Sequence, residues 1–339
     1  MKHIYLDYAA TTPVDKRVVK EMQPYLSEKF GNSMSLHFFG QEAKLALENS
    51  RQVLADAINA DLNEIIFTGS ATESNNMALK GIAFGLGKQF FSATRPHIII
   101  SSIEHPCIVE SAKWLKKQGF EITELPVDKY GFVNPEDVKK AITEKTILVS
   151  VIHASNEIGT IQSIAEIGKI CRDAGVYFHT DASQSFGKVP IDVKKMNIAG
   201  FAKATEICLK EMKSESKRLS KLRDKLIKAV LKIKDSHLNG HPKNRLANNA
   251  NFWFEFVEGE SLIMQLDLNG IACSTGSACS SFKLEPSHVL LATGLKPQEA
   301  HGSLRVSLGR FTTKKETDKL IKVLPKIVNK IREISPYGK

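Results

Sequence analysis

The chain has 339 residues, of which 42% are hydrophobic and 25% charged, a composition typical of a globular protein large enough for roughly two domains. No apolar run is long enough to span a bilayer, and the N-terminus lacks the apolar region of a signal peptide. Five scattered cysteines without a Cys-x-x-Cys pair argue against a disulfide framework and a structural zinc site. We therefore expect a cytoplasmic protein with no membrane segment and no metal.

The formal net charge of +10 comes largely from residues 203–234, a helix-like stretch with Lys or Arg every few positions. We interpret this stretch as a solvated basic face, because it lacks the interleaved aromatic residues that stack on bases. Direct nucleic-acid binding is therefore not expected. Attraction to an acidic protein partner or to RNA is the alternative.

The first two hundred residues alternate short apolar runs with helical patterns. Predicted strands cover residues 64–68, 97–101, 146–151 and 176–179. Predicted helices cover residues 73–84, 107–118 and 163–174. This alternation predicts an α/β fold, with a mainly parallel sheet and helices on both of its faces.

The remaining residues have the pattern of a smaller α+β domain. One long amphipathic helix is predicted over residues 201–233. Predicted strands follow at 250–256 and 303–308, with helices at 259–267, 287–292 and 314–331. The predicted domains are a large one over 14–200, a linking helix over 201–233, and a small one that combines 1–13 with 234–339.

The most informative motif runs from Val176 to Gln184 and reads as a short buried strand that stops on the carboxylate of Asp181. Open α/β sheets bind ligands beyond the carboxyl ends of their strands. A carboxylate placed there can pair with a pyridinium nitrogen, as pyridoxal 5'-phosphate (PLP) requires for carbanion chemistry. An Asp that caps the following turn is the alternative.

Residues 68–76, Thr-Gly-Ser-Ala-Thr-Glu-Ser-Asn-Asn, follow a predicted strand and open a predicted helix. Free N–H groups and the positive end of the helix dipole make such a position suitable for a phosphate. The hydroxyl of Thr72 adds a possible donor. A capped helix start gives a similar pattern and is the alternative.

Two further side chains follow predicted strands. His105 is placed to stack on a flat ring and to transfer protons near neutrality. Asn156 is placed to donate to a ring hydroxyl or to hold substrate. The alternatives are a hydrogen-bonded structural histidine and a turn residue before Gly159.

Cys279 lies among Gly and Ser residues, a context typical of an exposed, mobile loop, and mobility suits a nucleophile that must also deliver its product. Cys273, next to a strand-like segment, is expected to be buried. Arg305, within a predicted strand, is suited to bind a carboxylate through two hydrogen bonds. Arg310 is the alternative for that role, and either arginine could instead belong to a structural ion pair.

Eight motifs stand in the order found in one protein family. They span residues 6–13, 31–32, 68–76, 103–106, 153–160, 179–184, 276–279 and 307–313. On these motifs the chain resembles the cysteine desulfurases of iron–sulfur cluster assembly, the NifS- and IscS-like branch of the class V aminotransferases. The resemblance implies the fold-type I architecture of PLP enzymes, a homodimer, and the conversion of L-cysteine to L-alanine and a protein persulfide.

The resemblance also implies roles for the residues around the cofactor ring. Asp181 would pair with the pyridine nitrogen, and Gln184 and Asn156 would contact the ring hydroxyl. His105 would stack on the ring and act in proton transfer.

The other implied roles concern the phosphate, the substrate and the sulfur. Ala71 and Thr72 would bind the phosphate of PLP. Asn32 and Arg305 would bind the substrate, and Cys279 would attack its sulfur. The persulfide would then pass to an iron–sulfur scaffold protein, or to another sulfur acceptor such as the one that serves tRNA thiolation.

The chain departs from this family in one segment. The family's PLP-binding lysine stands in a Ser-x-His-Lys segment soon after the position of Asp181, and this chain has no such segment. A block of several dozen residues is expected to be missing between Ile198 and Ala199, with the lysine, phosphate-binding residues and at least one strand. The nearest lysines, none in that motif, are Lys188, Lys194, Lys195 and Lys203.

Three interpretations of the shortened sequence remain open. It is an incomplete form of an intact desulfurase, a natural deletion product without turnover, or a paralogue retained as a catalytically inactive scaffold that binds partner proteins. Without a positioned lysine amine the chain is not expected to hold PLP covalently.

Overall fold

A computed structural model of the chain describes residues 3–87, 95–196, 206–275 and 285–335. The strands of these residues are β1 (Ile4–Tyr5), β2 (His97–Ser101), β3 (Glu121–Leu125), β4 (Thr146–Ser150), β5 (Tyr177–His179), β6 (Ser236–Asn239), β7 (Asn249–Phe254), β8 (Ile271–Ala272) and β9 (Ser303–Ser307). Their helices are α1 (Lys16–Met22), α2 (Phe38–Ile58), α3 (Ala71–Gly87), α4 (Pro106–Lys117), α5 (Pro135–Ala141), α6 (Ile164–Asp173), α7 (Val193–Met196), α8 (Glu206–Val230), α9 (Gly259–Leu268), α10 (His288–Ala292), α11 (Pro297–His301) and α12 (Lys314–Ile334). Within the described residues, no helix combines the length and the apolar character that crossing a membrane requires.

A parallel sheet with the strand order β3-β2-β4-β5 forms the centre of the N-terminal part. Its middle strands are apolar throughout because both faces of the sheet are covered. Ile98 and Ile100 of β2 pack with residues of α3 and α4, whereas Ile99 packs on the other face with residues of α5 and α6. The predicted parallel sheet with helices on both faces is therefore confirmed.

The parallel arrangement brings the carboxyl ends of β2, β4 and β5 to one edge of the sheet. The segments that follow these ends carry Glu104 and His105 after β2, Asn156 after β4, and Asp181 after β5. The fold thus gathers the predicted strand-end residues at one edge, where ligands bind in sheets of this kind.

The C-terminal part is built on an antiparallel sheet with the order β6-β7-β9, and β8 pairs in parallel with β1. Its core contains residues of α8, α9 and α12 together with Ile4 and Leu6 from the start of the chain. This packing explains why residues near the N-terminus lie against the C-terminal sheet. The domain boundaries given above stay a prediction.

The predicted strand over residues 64–68 is wrong. Residues 62–64 form a short 3₁₀ turn, and Ile65 is extended (φ −93°, ψ 120°) but pairs with no strand of the described residues. Ile66 is 56% exposed. An apolar, extended segment becomes a strand only when a neighbouring strand accepts its hydrogen bonds, and the described part of the fold supplies none here.

Residues 22–47, which we call the N-terminal apolar segment, leave large apolar side chains in solvent. Met34, Leu36 and Phe38 are 85%, 92% and 74% exposed. Leu26 and Phe30 are exposed as well. Several exposed large apolar side chains within one segment are typical of a region that contacts another protein.

Candidate functional site

Asp181 lies just beyond the end of β5 and is buried. Its Oδ2 accepts a hydrogen bond from Nδ2 of Asn75 at 2.8 Å, and its Oδ1 accepts from the backbone N–H of Ser183 at 2.9 Å and from the Ser183 hydroxyl. Its backbone oxygen accepts from the N–H of His153. These donors fix the orientation of a carboxylate that still has a lone-pair position for a ligand donor.

His105 caps the N-terminus of α4, and Pro106 takes the first helical position. Its Nδ1 accepts from the backbone N–H of Cys107 at 3.3 Å, so the proton of the neutral ring lies on Nε2. Burial lowers the pKa of His105 from 6.5, although the nearby Asp181 opposes the shift. A neutral imidazole that donates through Nε2 is therefore present at neutral pH.

Glu104, which the sequence pattern did not single out, is fully buried beside His105. Its Oε1 accepts from the hydroxyl of Ser101 and from the N–H of Ile152, both at 2.7 Å, and so ties the end of β2 to the end of β4. Burial, together with the charge of Asp181, raises the pKa of Glu104 to about 8. Glu104 is therefore a neutral acid at pH 7.

Two more buried histidines at this edge have structural roles. Nδ1 of His179 contacts the hydroxyl of Ser150, and Nδ1 of His153 contacts the hydroxyl of Ser185, each at 2.9 Å. Burial lowers the pKa of both rings to about 4. These neutral rings hold β5 and the turn after Asp181 in place.

The predicted phosphate position lies at the start of α3, where Ala71 and Thr72 are exposed. The local contacts are those of a capped helix: the Ser70 hydroxyl accepts from the N–H of Glu73, and Glu73 Oε2 accepts from the N–H of Gly69 at 2.7 Å. The helix N-terminus favours an anion, but the Glu73 carboxylate already accepts a hydrogen bond from one of the backbone N–H groups, that of Gly69.

Gln184 follows β5, and Asn156 follows the neighbouring strand β4. Nε2 of Gln184 donates to the backbone oxygen of Ala9 at 3.0 Å, and its Oε1 accepts from Nζ of Lys188 at 3.1 Å. The backbone oxygen of Asn156 accepts from Nδ2 of Asn249 at 3.3 Å. The described contacts therefore use these residues to join segments of the fold.

Arg305 lies buried in β9, where its Nη2 donates to Oδ1 of Asp7 at 2.9 Å. Its Nη1 is 3.5 Å from the backbone oxygen of Asn156, so the guanidinium borders the edge that carries Asp181. Arg310 instead pairs with Glu211 and Asp15. This difference in position favours Arg305 over Arg310 as a substrate ligand.

The remaining predicted residues are Asn32, Cys273 and Cys279. Asn32 is exposed, and its Oδ1 accepts from the N–H of Met34 in a local turn. Cys273 is buried, and burial raises the pKa of its thiol far above the ordinary value. Cys279, like Lys203 and the junction at 198–199, lies outside the described residues.

Comparison with known sequences identifies the family. The family model described as Aminotransferase class-V matches residues 4–201 and 196–320. The chain is 46% identical over 388 aligned positions to the cysteine desulfurase IscS of Methanosarcina thermophila, with 99% of this chain and 94% of the relative covered. It is 45% identical to the cysteine desulfurase IscS of Dictyoglomus turgidum, with 99% and 97% covered.

Solved structures agree with the sequence comparison. A NifS-like protein superposes with a TM-score of 0.86 at 29% identity, over 96% of this chain and 99% of its own. SspA in complex with cysteine superposes with a TM-score of 0.76 at 30% identity, over 91% and 100%. The fold is therefore that of the fold-type I PLP enzymes.

The chain belongs to the aminotransferase class-V family of PLP-dependent enzymes. Within that family it groups with the cysteine desulfurases. The residues present fit PLP at its noncovalent contacts, because an oriented, buried carboxylate, a neutral imidazole and a helix N-terminus border one edge of the sheet. No Ser-x-His-Lys segment follows Asp181 in the sequence.

Proposed function

We propose that this site is built to remove sulfur from L-cysteine with PLP, giving L-alanine and a persulfide on Cys279. The observation that carries the proposal is the buried carboxylate of Asp181 at the end of β5, held by Asn75 and Ser183. When bound, PLP supplies an electron sink for the substrate Cα. The Cβ–S bond of cysteine breaks, Cβ receives a proton, and a new S–S bond forms to Cys279.

The chain's own residues bind, orient and move protons. Asp181 would pair with the ring nitrogen, and the Nε2–H of His105 would lie against the ring and exchange a proton with the substrate. Arg305 would hold the substrate carboxylate, a role that its burial and its position beside Asn156 support. Ala71 and Thr72 would bind the phosphate at the start of α3.

Cys279 is proposed as the sulfur acceptor because the other thiol near this part of the sequence is unsuitable. Cys273 is buried, and its raised pKa keeps it protonated at neutral pH. We expect Cys279→Ala to abolish sulfide release from cysteine with added thiol, while PLP binding is retained. Loss of sulfide release in Cys273→Ala, with Cys279→Ala unaffected, would overturn the assignment.

We propose further that the chain, as its sequence stands, binds PLP without a covalent lysine. The alignment to the Methanosarcina relative has 388 positions and this chain has 339 residues, so at least 49 positions of the relative have no counterpart here. The two segments of the family match meet at 196–201, where the missing block is expected.

A homodimer is proposed from the N-terminal apolar segment. Its exposed side chains, with Leu36 and Phe38 at 92% and 74%, are suited to burial against a second copy of the chain. We expect light scattering to give twice the monomer mass of 37.6 kDa, and a Leu36→Asp, Phe38→Ser variant to give the monomer mass. A monomeric parent chain would contradict the proposal.

The sulfur acceptor is proposed to be a cytoplasmic iron–sulfur scaffold or another sulfur-carrier protein. The support is family membership alone, since the relatives are named IscS. Transfer of labelled sulfur from the persulfide form to a purified scaffold protein tests this step.

The proposed function has a direct test that also addresses the inactive-scaffold alternative. The chain is incubated with PLP and L-cysteine, and alanine is measured against PLP and cysteine without protein. Alanine formation above the protein-free rate, lost in Cys279→Ala, supports a desulfurase. A rate equal to the protein-free control would leave a binding protein without turnover.

A further inference from the structure

Cys107 is a thiol at the candidate site to which the proposed reaction assigns no step. It is the second residue of α4 and is partly buried. Its Sγ lies 3.0 Å from Nδ1 of His105 and 3.2 Å from Nδ2 of Asn75. Cys107 therefore contacts one neighbour on its own helix turn and one on α3.

Asn75 continues this set of contacts to Asp181. The side-chain amide of Asn75 has two N–H groups, and its nitrogen lies within hydrogen-bond distance of both Asp181 Oδ2, at 2.8 Å, and Cys107 Sγ. One N–H can serve each acceptor. The result is a continuous chain of contacts from Asp181 through Asn75 and Cys107 to His105, across three elements of the fold.

In our assignment, the backbone N–H and the thiol S–H of Cys107 share the single lone pair of His105 Nδ1. The backbone N–H of Cys107 points at Nδ1 of His105, so Nδ1 carries a lone pair and not a proton. Sγ accepts from Asn75, which leaves the thiol S–H to donate to the same Nδ1. Burial raises the pKa of the Cys107 thiol, so the S–H proton is retained at neutral pH.

We propose that Cys107 is a positioning residue whose S–H donates to Nδ1 of His105, holds the imidazole proton on Nε2 and links the ring to Asp181 through Asn75. A ligand then meets a histidine that presents only a donor, beside a carboxylate of fixed orientation. The same contacts keep Cys107 from acting as a second sulfur acceptor. The relevance of this positioning role to catalysis rests on the proposed function. The hydrogen bonds themselves form in the protein without PLP.

The test uses ¹⁵N-histidine NMR on the full chain without PLP, with the His105 signal assigned from its loss in His105→Gln. The parent chain is expected to show a neutral ring with the proton on Nε2 and a pKa below 6.5. Cys107→Ser keeps an O–H donor and should leave both unchanged. Cys107→Ala removes the donor to the neutral ring, so the pKa of His105 should rise by about half a unit or more.

Cys171→Ala is the matched control, because Cys171 is buried in α6 within a different part of the core. It should alter stability but not the His105 signals. A proton on Nδ1 in the parent chain, or identical His105 titrations in the parent and in Cys107→Ala, would overturn the proposal. The NMR experiment contains no PLP, so its result does not depend on whether the protein is a desulfurase. Failure of the Cys107 proposal can therefore be distinguished from failure of the proposed function.

Discussion

The two ends of the candidate cofactor site are built differently. The ring end, formed by Asn75, His105, Cys107 and Asp181, is largely buried and closed by contacts between α3, α4 and the residues after β5. The phosphate end, residues 69–73, is exposed and closed by its own turn, with the carboxylate of Glu73 on the N–H of Gly69.

This difference shows which part of the site the chain completes by itself. At the ring end, Asn75 and Cys107 form hydrogen bonds that connect Asp181 to His105, and Ser183 also donates to Asp181. The phosphate end has an exposed helix N-terminus, and the further phosphate-binding residues that the family resemblance implies are expected in the block proposed to be missing between Ile198 and Ala199. We therefore expect most of the affinity for PLP to come from the ring end.

The largest effect is expected from a change at the ring end. Asp181→Ala removes the acceptor for the ring nitrogen and leaves the buried Asn75 amide without its carboxylate partner. Charge-assisted hydrogen bonds of this kind contribute about 1.5–3 kcal/mol, so the Kd for PLP should rise roughly tenfold or more. The Kd is measured by fluorescence quenching. Asp173→Ala, at an exposed position on α6, is the control and should bind PLP as the parent chain does.

The second prediction concerns the pH dependence of stability at the ring end. Folded Glu104 keeps its proton up to about pH 8, whereas the unfolded chain releases it near pH 4.5. The unfolded state therefore binds fewer protons between these values, and stability falls as the pH rises from 4.5 to 8. Glu104→Gln removes this dependence. The Tm of the variant minus that of the parent should therefore increase by several °C as the pH rises from 4.5 to 8, which is on the order expected for a few kcal/mol.

The control for this prediction is Glu144→Gln, a change at an exposed carboxylate. Its Tm should follow that of the parent at every pH. A constant Tm difference between Glu104→Gln and the parent from pH 5 to pH 8 would show that Glu104 is ionised in the folded protein and would contradict its assignment as a neutral acid.

The smallest effect is expected at the phosphate end. Thr72→Ala removes one hydroxyl from an exposed helix start, where a hydrogen bond is worth about 0.5–1.5 kcal/mol, so the Kd for PLP should rise only about two- to tenfold. Thr72→Ser keeps the hydroxyl and should match the parent. An effect of Thr72→Ala larger than that of Asp181→Ala would reverse the comparison between the two ends.

The sequence predicts those parts of the fold that are encoded locally. Strand β2 is a run of apolar residues from Ile98 to Ile100 and is recognised because the buried middle of a parallel sheet needs such a run. Strand β3, from Glu121 to Leu125, is not revealed, because an edge strand tolerates charged residues. The segment 64–68 has a strand pattern, but pairing depends on a neighbour that local sequence does not specify.

The same distinction applies to the site. His105 and Asp181 are predictable because each follows a recognisable strand. Asn75, Glu104 and Cys107 are not, since their importance lies in contacts between distant positions. Asn75 and Asp181, for example, are 106 residues apart in the sequence. The neutral state of Glu104 depends on burial, which composition and spacing do not reveal.

The central claim is that the chain has a complete ring end but no covalent lysine, and borohydride trapping tests it most directly. The purified chain is first shown to have an intact mass of 37.6 kDa, then loaded with PLP, reduced with borohydride and mapped by peptide mass spectrometry. Asp181→Ala is treated in parallel and identifies the surface lysines that react with PLP independently of the cofactor site. We predict that dialysis before the reduction removes the bound PLP. We also predict that every lysine modified in the parent chain is modified in Asp181→Ala as well. A pyridoxyl group on Lys188, Lys194, Lys195 or Lys203 that is absent from Asp181→Ala, together with turnover at an ordinary enzymatic rate, would contradict the account.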